Sequence, residues 1–389
     1  MSVREIAARQ LIAADGIIER PRIEIDTDGM IVSIESGAAS ADETVTITPA
    51  FFDVHVHGAA GADVMEGSHE SLQRVGEFLA TRGVAHFLAT TVTAPIDATL
   101  RALEGIANAI EASQKECNGA RAVGIHLEGP FLSHAKRGVH PPAAIQKPSV
   151  ELFERFQQAA RGHIKLMTIA PESEGALDLI RHATAKGVRV SIGHSDATAA
   201  EARAGIAAGA VSATHTFNAM RKLDHREPGI AGVVLDDHEL YAELICDGIH
   251  VAPEFARLWW NAKGEDHAIL VTDGISATGM PDGDYLLGGL EVTVADGRCL
   301  LKSDLAAGKK TLAGSVLTMD RAVATLQAVT GSELARAVDA ASRNPARMLG
   351  MSGLVEITAG KPANFNIFGA DGELERTILQ GREVGRGIR

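Results

Sequence analysis

The sequence predicts an α/β fold: a (β/α)8 TIM-like barrel carrying a small β-sandwich domain built from both termini. Three observations predict it. Short apolar runs alternate with segments of helical periodicity through the middle of a 389-residue chain, and eight such runs can be counted. Both ends read instead as short strands punctuated by Asp-Gly turns. Histidines and carboxylates recur where the apolar runs stop, and a parallel barrel gathers those strand ends on one rim.

The eight runs occupy 51–56, 86–93, 122–127, 164–170, 188–193, 210–214, 241–246 and 267–272. An open doubly wound sheet is the competing arrangement, but no glycine fingerprint follows the first run. Among the intervening helices, Asp97 is expected to cap a stretch that puts Leu100, Leu103, Ile106 and Ile110 on one face. Gly83 is expected to end the helix holding Leu72, Val75 and Leu79. At the N-terminal end Ile23-Glu24-Ile25-Asp26 alternates, Asp28-Gly29 turns, and Ile31-Val32-Ser33-Ile34 follows. At the other end Asn364-Phe365-Asn366-Ile367-Phe368 precedes an Asp371-Gly372 turn. The expected division is 1–48 and 355–389 for the small β domain and 49–354 for the barrel. Two long connections interrupt the rhythm. Residues 129–148 follow the third run, and 276–317 follow the eighth with β-like pieces such as Leu290-Glu291-Val292-Thr293-Val294, before a helix at 318–328. Connections of this length are usually functional or insertions.

Composition narrows the class. At 46% hydrophobic and 22% charged residues the chain can bury a sizeable core. No stretch reaches the run of about 20 apolar residues that spans a bilayer, and Met1-Ser2-Val3-Arg4-Glu5 has no apolar signal segment. Cys117, Cys246 and Cys299 are scattered and odd in number, which argues for a reducing compartment and against a disulfide framework. A cytoplasmic location is therefore expected. The net charge of −13, with no Lys/Arg run, argues against nucleic acid or an anionic membrane as partner. A small anionic substrate stays allowed, because screening over about 8 Å lets a local basic pocket escape the global charge.

The chemistry sits at the strand ends. The first run ends in Asp53-Val54-His55-Val56-His57-Gly58, and strand alternation turns His55 and His57 to the same face. The third ends in His126-Leu127-Glu128-Gly129-Pro130, the fifth in Gly193-His194-Ser195, the sixth in Thr214-His215-Thr216 and the eighth in Val271-Thr272-Asp273-Gly274. Singly, each has an ordinary explanation: a solvated His-x-His strand, a satisfied core histidine, an aspartate capping a turn. Six such groups, His55, His57, Glu128, His194, His215 and Asp273, at the ends of five runs fit a metal centre better than separate coincidences. Imidazole and carboxylate are the ligand set of a divalent ion such as zinc or iron.

On these motifs the chain resembles the N-acetylglucosamine-6-phosphate deacetylases of the amidohydrolase superfamily. Further shared motifs are Phe217-Asn218-Ala219-Met220 after Thr214-His215-Thr216, Arg226-Glu227-Pro228-Gly229, Asp247-Gly248-Ile249-His250-Val251 and Leu312-Ala313-Gly314-Ser315. The resemblance covers nearly the whole barrel and both termini. It implies that Glu128, His194 and His215 hold the main metal and that Asp273 shuttles the proton. Some members of the family lack the first-strand histidines and work with one metal; this chain keeps His55 and His57, so one or two ions per subunit are expected. Gly274 stands where the family more usually has Ala, a small departure.

The resemblance also implies that Arg226 pairs with a phosphate, helped by Asn218 and the backbone near Ala219; the plainer reading of Arg226 is a surface ion pair with Glu227 or Asp224. His140 and His250 are expected at the sugar or its carbonyl, and Leu312, Ala313 and Gly314 over the acetyl group, against plain loop and turn roles. Trp259-Trp260 are read as packing or a subunit interface. The substrate expected is a small phosphorylated amino sugar, and the assembly a homodimer or higher homo-oligomer. A deacetylase of N-acetylgalactosamine 6-phosphate, another amidohydrolase, and a non-catalytic barrel scaffold are the alternatives. A cyclic amidase of the dihydroorotase kind would want a lysine at the end of the fourth run, and Lys165 lies at its other end.

Overall fold

The structure is a computed structural model that describes residues 4–38, 42, 44–113 and 118–385; Cys117 and the first three residues lie outside them. Eight strands form one parallel sheet: β1 (Phe51–Val56), β2 (Val84–Thr91), β3 (Arg121–Glu128), β4 (Ile164–Ile169), β5 (Arg189–Ile192), β6 (Ser212–Ala213), β7 (Tyr241–Ile245) and β8 (Ala268–Val271). They are hydrogen-bonded in sequence order from β1 to β8. The sheet closes on itself, because Val56 and Gly274 make a parallel bridge and the His57 amide donates to the Gly274 carbonyl at 2.7 Å.

Among the described residues, helices that cover the strands include α1 (His69–Ala80), α2 (Ile96–Ser113), α3 (Val150–Ala159), α4 (Ala176–Ala185), α5 (Ala199–Ala207), α6 (Gly229–Asp236), α7 (Pro253–His267, broken at Gly264) and α8 (Met319–Thr330), and Leu334–Ala341 and Arg343–Met348 also pack on β1 and β8. Each forms because apolar residues recur at helical spacing. In α1, Leu72, Val75 and Leu79 are buried, and the Ser68 hydroxyl caps the start by accepting from the Ser71 amide. Phe51, Phe52, Phe87, Phe153 and Trp259 are fully buried in the shared core, each worth about 1.5–3 kcal/mol or more of burial. Trp260 packs against the same core, so this pair does packing work.

Three expectations shift. Asp97 does not cap α2 but sits inside its first turn, where its charge still complements the helix dipole. Gly83 lies beyond the end of α1, in the turn whose positive φ of 84° admits glycine readily. The sixth run keeps only two residues as strand, because the backbone leaves extended geometry on reaching His215, with φ 27°.

The two ends of the chain meet. Thr46–Pro49 pairs antiparallel with Phe365–Phe368 inside a six-stranded sheet that also holds Gln10–Ala13 and Leu374–Leu379. A three-stranded sheet of Arg4–Ala7, Arg22–Ile25 and Ile31–Glu35 adds a second layer, and Leu11, Ile23, Ile47 and Phe365 are buried in one cluster. The long connection after β8 contains a third small sheet, Gly283–Leu287, Leu290–Ala295 and Arg298–Leu301. No helix among the described residues is long and apolar enough to cross a membrane.

Candidate metal centre and binding pocket

The ligand candidates sit at or just past the C-terminal ends of β1, β3, β5, β6 and β8, on one rim. His194, His215 and Asp273 each lie two residues beyond a strand, and all three take positive φ, 45°, 27° and 50°. Non-glycine residues held there store on the order of 1–3 kcal/mol each, a cost that clusters where side chains must be aimed. Hydrogen bonds fix the turns: the Asp273 amide donates to the His55 carbonyl at 2.9 Å, and the Ser133 amide to the His194 carbonyl at 2.9 Å.

Two clusters result, Glu128 with His194 and His215, and His55 and His57 with Asp273; within each, the donor atoms lie within 4.8 Å of one another. Glu128 stands between them. Its Oε1 is 3.2 Å from the Nε2 atoms of both His194 and His215 and 3.4 Å from His55 Nε2, and its Oε2 is 3.3 Å from His57 Nε2. Asp273 Oδ1 is 3.2 Å from His57 Nε2 and 3.6 Å from His55 Nε2.

The donor set fits divalent cations. His57 Nδ1 lies 3.0 Å from the Thr90 carbonyl and His194 Nδ1 lies 2.9 Å from the Lys136 carbonyl, so each donates there and turns a lone pair on Nε2 inward. The Nε2 atoms of His194 and His215 then face one another at 3.0 Å, and His55 Nε2 is buried with no hydrogen-bond partner. Converging lone pairs and an orphaned buried nitrogen are the arrangement a cation resolves.

The electrostatics agree. Burial favours neutral Glu128, yet the neighbouring imidazoles, His55 foremost, hold its carboxyl well below the usual carboxylate range. Burial likewise opposes ionisation of Asp273, but His55 and His57 bring its pKa down to about 2. Burial disfavours the charged form of His57, and the hydrogen bonds and charges of Asp273 and Glu128 overcome it, raising the ring to about 9, so a cation arriving at Nε2 displaces a proton there.

A cavity of about 220 Å³ opens above the clusters. His140, Asn218, Ala219, His250, Leu312 and Gly314 line it. His140 accepts the Thr93 amide on Nδ1 at 3.2 Å, so its Nε2 carries the proton, 3.6 Å from Glu128 Oε2. Burial, then the charges around it, hold that ring down at about 3, neutral at any ordinary pH. His250 donates from Nδ1 to Asp247 Oδ2 at 2.7 Å.

Two expected residues lie elsewhere. Ala313 is fully buried and packs with the small sheet after β8, because its amide donates to the Cys299 carbonyl and turns its methyl inward. Arg226 is exposed in the 221–228 connection and is absent from the lining of this cavity. The carboxylates of Asp224 and Glu227 accept backbone amides, Arg226 and Glu227 on the first and Ala199 and Gly229 on the second.

Other residues at the site had not been singled out. Glu243, fully buried inside the barrel, stands 3.1 Å from His55 Nδ1, and Asp53 accepts from the Thr272 hydroxyl beneath the first-strand histidines. A carboxylate inside an apolar strand was the available signal for both. Val92, Leu287 and Thr311 also line the cavity. His126 is satisfied on both nitrogens, by the Val54 carbonyl and the Thr168 hydroxyl, and serves the barrel core.

Comparison with known proteins agrees with this geometry. Residues 46–384 match the amidohydrolase family. The chain is 39% identical over 336 residues to the N-acetylglucosamine-6-phosphate deacetylase of Bacillus subtilis (strain 168), covering 86% of this chain and 83% of that one. It is 36% identical over 380 residues to the N-acetylgalactosamine-6-phosphate deacetylase of Escherichia coli O157:H7, covering 97% and 98%. Its fold superposes with a TM-score of 0.90 and 33% identity on N-acetyl-D-glucosamine-6-phosphate deacetylase from Mycobacterium smegmatis in complex with N-acetyl-D-glucosamine-6-phosphate, over 99% of this chain and all 100% of that one. The chain therefore belongs to the amidohydrolase family.

Proposed function

We propose that the protein is a metal-dependent deacetylase that hydrolyses the acetamide of N-acetyl-D-glucosamine 6-phosphate to D-glucosamine 6-phosphate and acetate, in amino-sugar catabolism and recycling. The observation that carries this reading is the pair of ligand clusters bridged by Glu128 at the floor of a pocket walled by His140 and His250. Glu128, His194 and His215 hold the main cation, zinc or iron, and His55 and His57 offer a second place. Bound there, a divalent ion lowers the pKa of water from 15.7 to about 7 and polarises an acetamide oxygen.

The protein's own groups supply the rest. Asp273 takes the proton of the attacking water and returns it to the leaving nitrogen, first as base and then as acid. His140, neutral and protonated on Nε2, donates to the acetamide oxygen. His250, held by Asp247, meets a sugar hydroxyl. Leu312 and Gly314 lie against the acetyl methyl, with Ala313 backing them. Asn218 and the Ala219 backbone take the phosphate, joined by Arg226. Arg226 is exposed and does not line its own chain's cavity, so on this reading it serves the phosphate site of a neighbouring subunit in a homodimer or higher oligomer. The enzyme works in the cytoplasm, in keeping with its scattered cysteines.

A second reading, N-acetylgalactosamine 6-phosphate as substrate, has the near full-length Escherichia coli relative in its favour. Acetate release from both phosphorylated epimers and from the unphosphorylated sugar separates the two. Turnover of none of them by metal-replete protein would sink the deacetylase reading. Arg226→Ala should lower kcat/KM on the phosphorylated sugar by about tenfold to a hundredfold, the worth of one charge-assisted bond; an unchanged value would remove Arg226 from the phosphate site.

A further inference from the structure

Among the described residues, Glu243 is the one fully buried carboxylate that reaches both ligand clusters without belonging to either. It lies on β7 with its side chain on the barrel-interior face, two residues before Ile245, which lines the cavity. A carboxylate there loses all of its hydration, so the fold retains it against a desolvation cost. Its Oε2 accepts twice, from His55 Nδ1 at 3.1 Å and from the backbone amide of His215 at 3.2 Å. Its backbone carbonyl accepts the next amide, that of Thr216, at 2.8 Å. One residue therefore grips the ring of a ligand from the first cluster and the main chain of a ligand from the second.

The direction of the first bond matters. A carboxylate only accepts, so His55 carries a proton on Nδ1, and its Nε2, aimed at Glu128 and Asp273, is the atom left to give a lone pair to a cation. That Nε2 is buried and otherwise unpartnered. His57 reaches the same tautomer through a neutral carbonyl, that of Thr90. Only His55 among the four imidazoles is backed by an anion, which makes it the more basic donor.

We propose that Glu243 is a positioning residue for the first-strand cluster: it fixes His55 as the Nδ1–H tautomer and strengthens Nε2 as a donor to a cation held at His55, His57 and Asp273. The inference rests on the metal-ligand reading above and is independent of which sugar is hydrolysed. The His215 amide bond adds a smaller effect, a spacer between the two cation positions.

Equilibrium titration of cation-free protein with Co²⁺ and Zn²⁺ against a competing chelator tests it, with metal content by mass spectrometry. Wild type should take up two ions per chain. Glu243→Gln keeps the volume and removes the charge; it should weaken the second ion by about tenfold to a hundredfold and the first by no more than about threefold. Equal loss of both ions, or loss of neither, would overturn the proposal, as would a wild type that takes one ion only. A wild type that binds no divalent ion would instead remove the metal reading itself. Should the variant fold poorly, the imidazole ¹H–¹⁵N spectrum of Zn²⁺-loaded wild type decides independently: His55 protonated on Nδ1 alone supports the proposal, and a proton on Nε2 overturns it.

Discussion

The backbone amide of Asp273 donates to the carbonyl of His55 at 2.9 Å, so the carboxylate from the last barrel strand hangs from the first. Barrel closure and assembly of the site are the same event. Replacing Asp273 by Asn keeps this backbone bond and the side-chain volume. We expect kcat to fall by about 10² to 10⁴-fold, the usual worth of a positioned acid–base group, while the ion held by Glu128, His194 and His215 stays. Titration of that ion in the purified variant checks the second half, counted separately from any ion at His55, His57 and Asp273; loss of both ions would make Asp273 chiefly a support of the whole centre.

Chelation should act on stability as well as on rate. Glu128, His194 and His215 crowd like donors together, and a bound ion relieves that crowding only in the folded state. At a free ion concentration a hundred times its Kd, the gain is about 2.7 kcal/mol. Stripping the metal should abolish acetate release and lower the thermal midpoint by several degrees, both restored by adding Zn²⁺ or Fe²⁺. An unchanged midpoint would argue that no tight site exists.

Asp247 is expected to act through His250. Its Oδ2 accepts from the ring at 2.7 Å and its Oδ1 from the amides of Ile249 and His250 at 2.8 Å. Burial disfavours a charged imidazole, but this carboxylate outweighs it and raises the His250 pKa. Asp247→Ala should cost about tenfold to a hundredfold in kcat/KM, the worth of a hydrogen bond to a charged group, with metal content unaltered. Equal activity would leave His250 without a need for its partner.

Stability should fall in mild acid through His86, far from the metal ligands at the start of β2. Burial, then the positive charge of Arg121, pull this ring down to about 4. Its unfolded value is near the ordinary 6.5. Between those values the unfolded chain binds the proton that the folded chain refuses. Its contribution is therefore complete above pH 6.5 and is lost as pH falls toward 4. At pH 5 the loss is about 2 kcal/mol. In cation-free protein, His86→Gln should lose less thermal stability than wild type between pH 7 and 5, and parallel losses would contradict the assignment.

The barrel was legible because two signals agreed, apolar runs of strand length and helical spacing between them. Its edges were less so: the run at 210–214 keeps only Ser212–Ala213 as strand, since the left-handed turn at His215 leaves no mark in hydropathy. The ligand candidates could be found because each ends a run. Glu243 and Asp53 were harder to place: the one mark each carries is a carboxylate inside an apolar run, and their partners come from strands far away in sequence. The cavity wall drawn from Val92, Leu287 and Thr311 was equally hidden, since an insertion folds over the rim in a way no local pattern encodes. Arg226 shows the converse: a motif names it, yet it is exposed in the 221–228 connection and does not line this chain's cavity.

The pairing of Thr46–Pro49 with Phe365–Phe368 has a consequence for biogenesis. On the ribosome the opening strands emerge first, and their antiparallel partner follows more than three hundred residues later. At about 5–20 residues per second, those strands wait on the order of tens of seconds with their Ile and Leu faces uncovered. The barrel, whose strands pair in sequence order, can grow during that interval. The sheet uniting both ends can only be zipped last, which makes it the latch of the fold and the step at which a nascent chain most needs shelter from its neighbours.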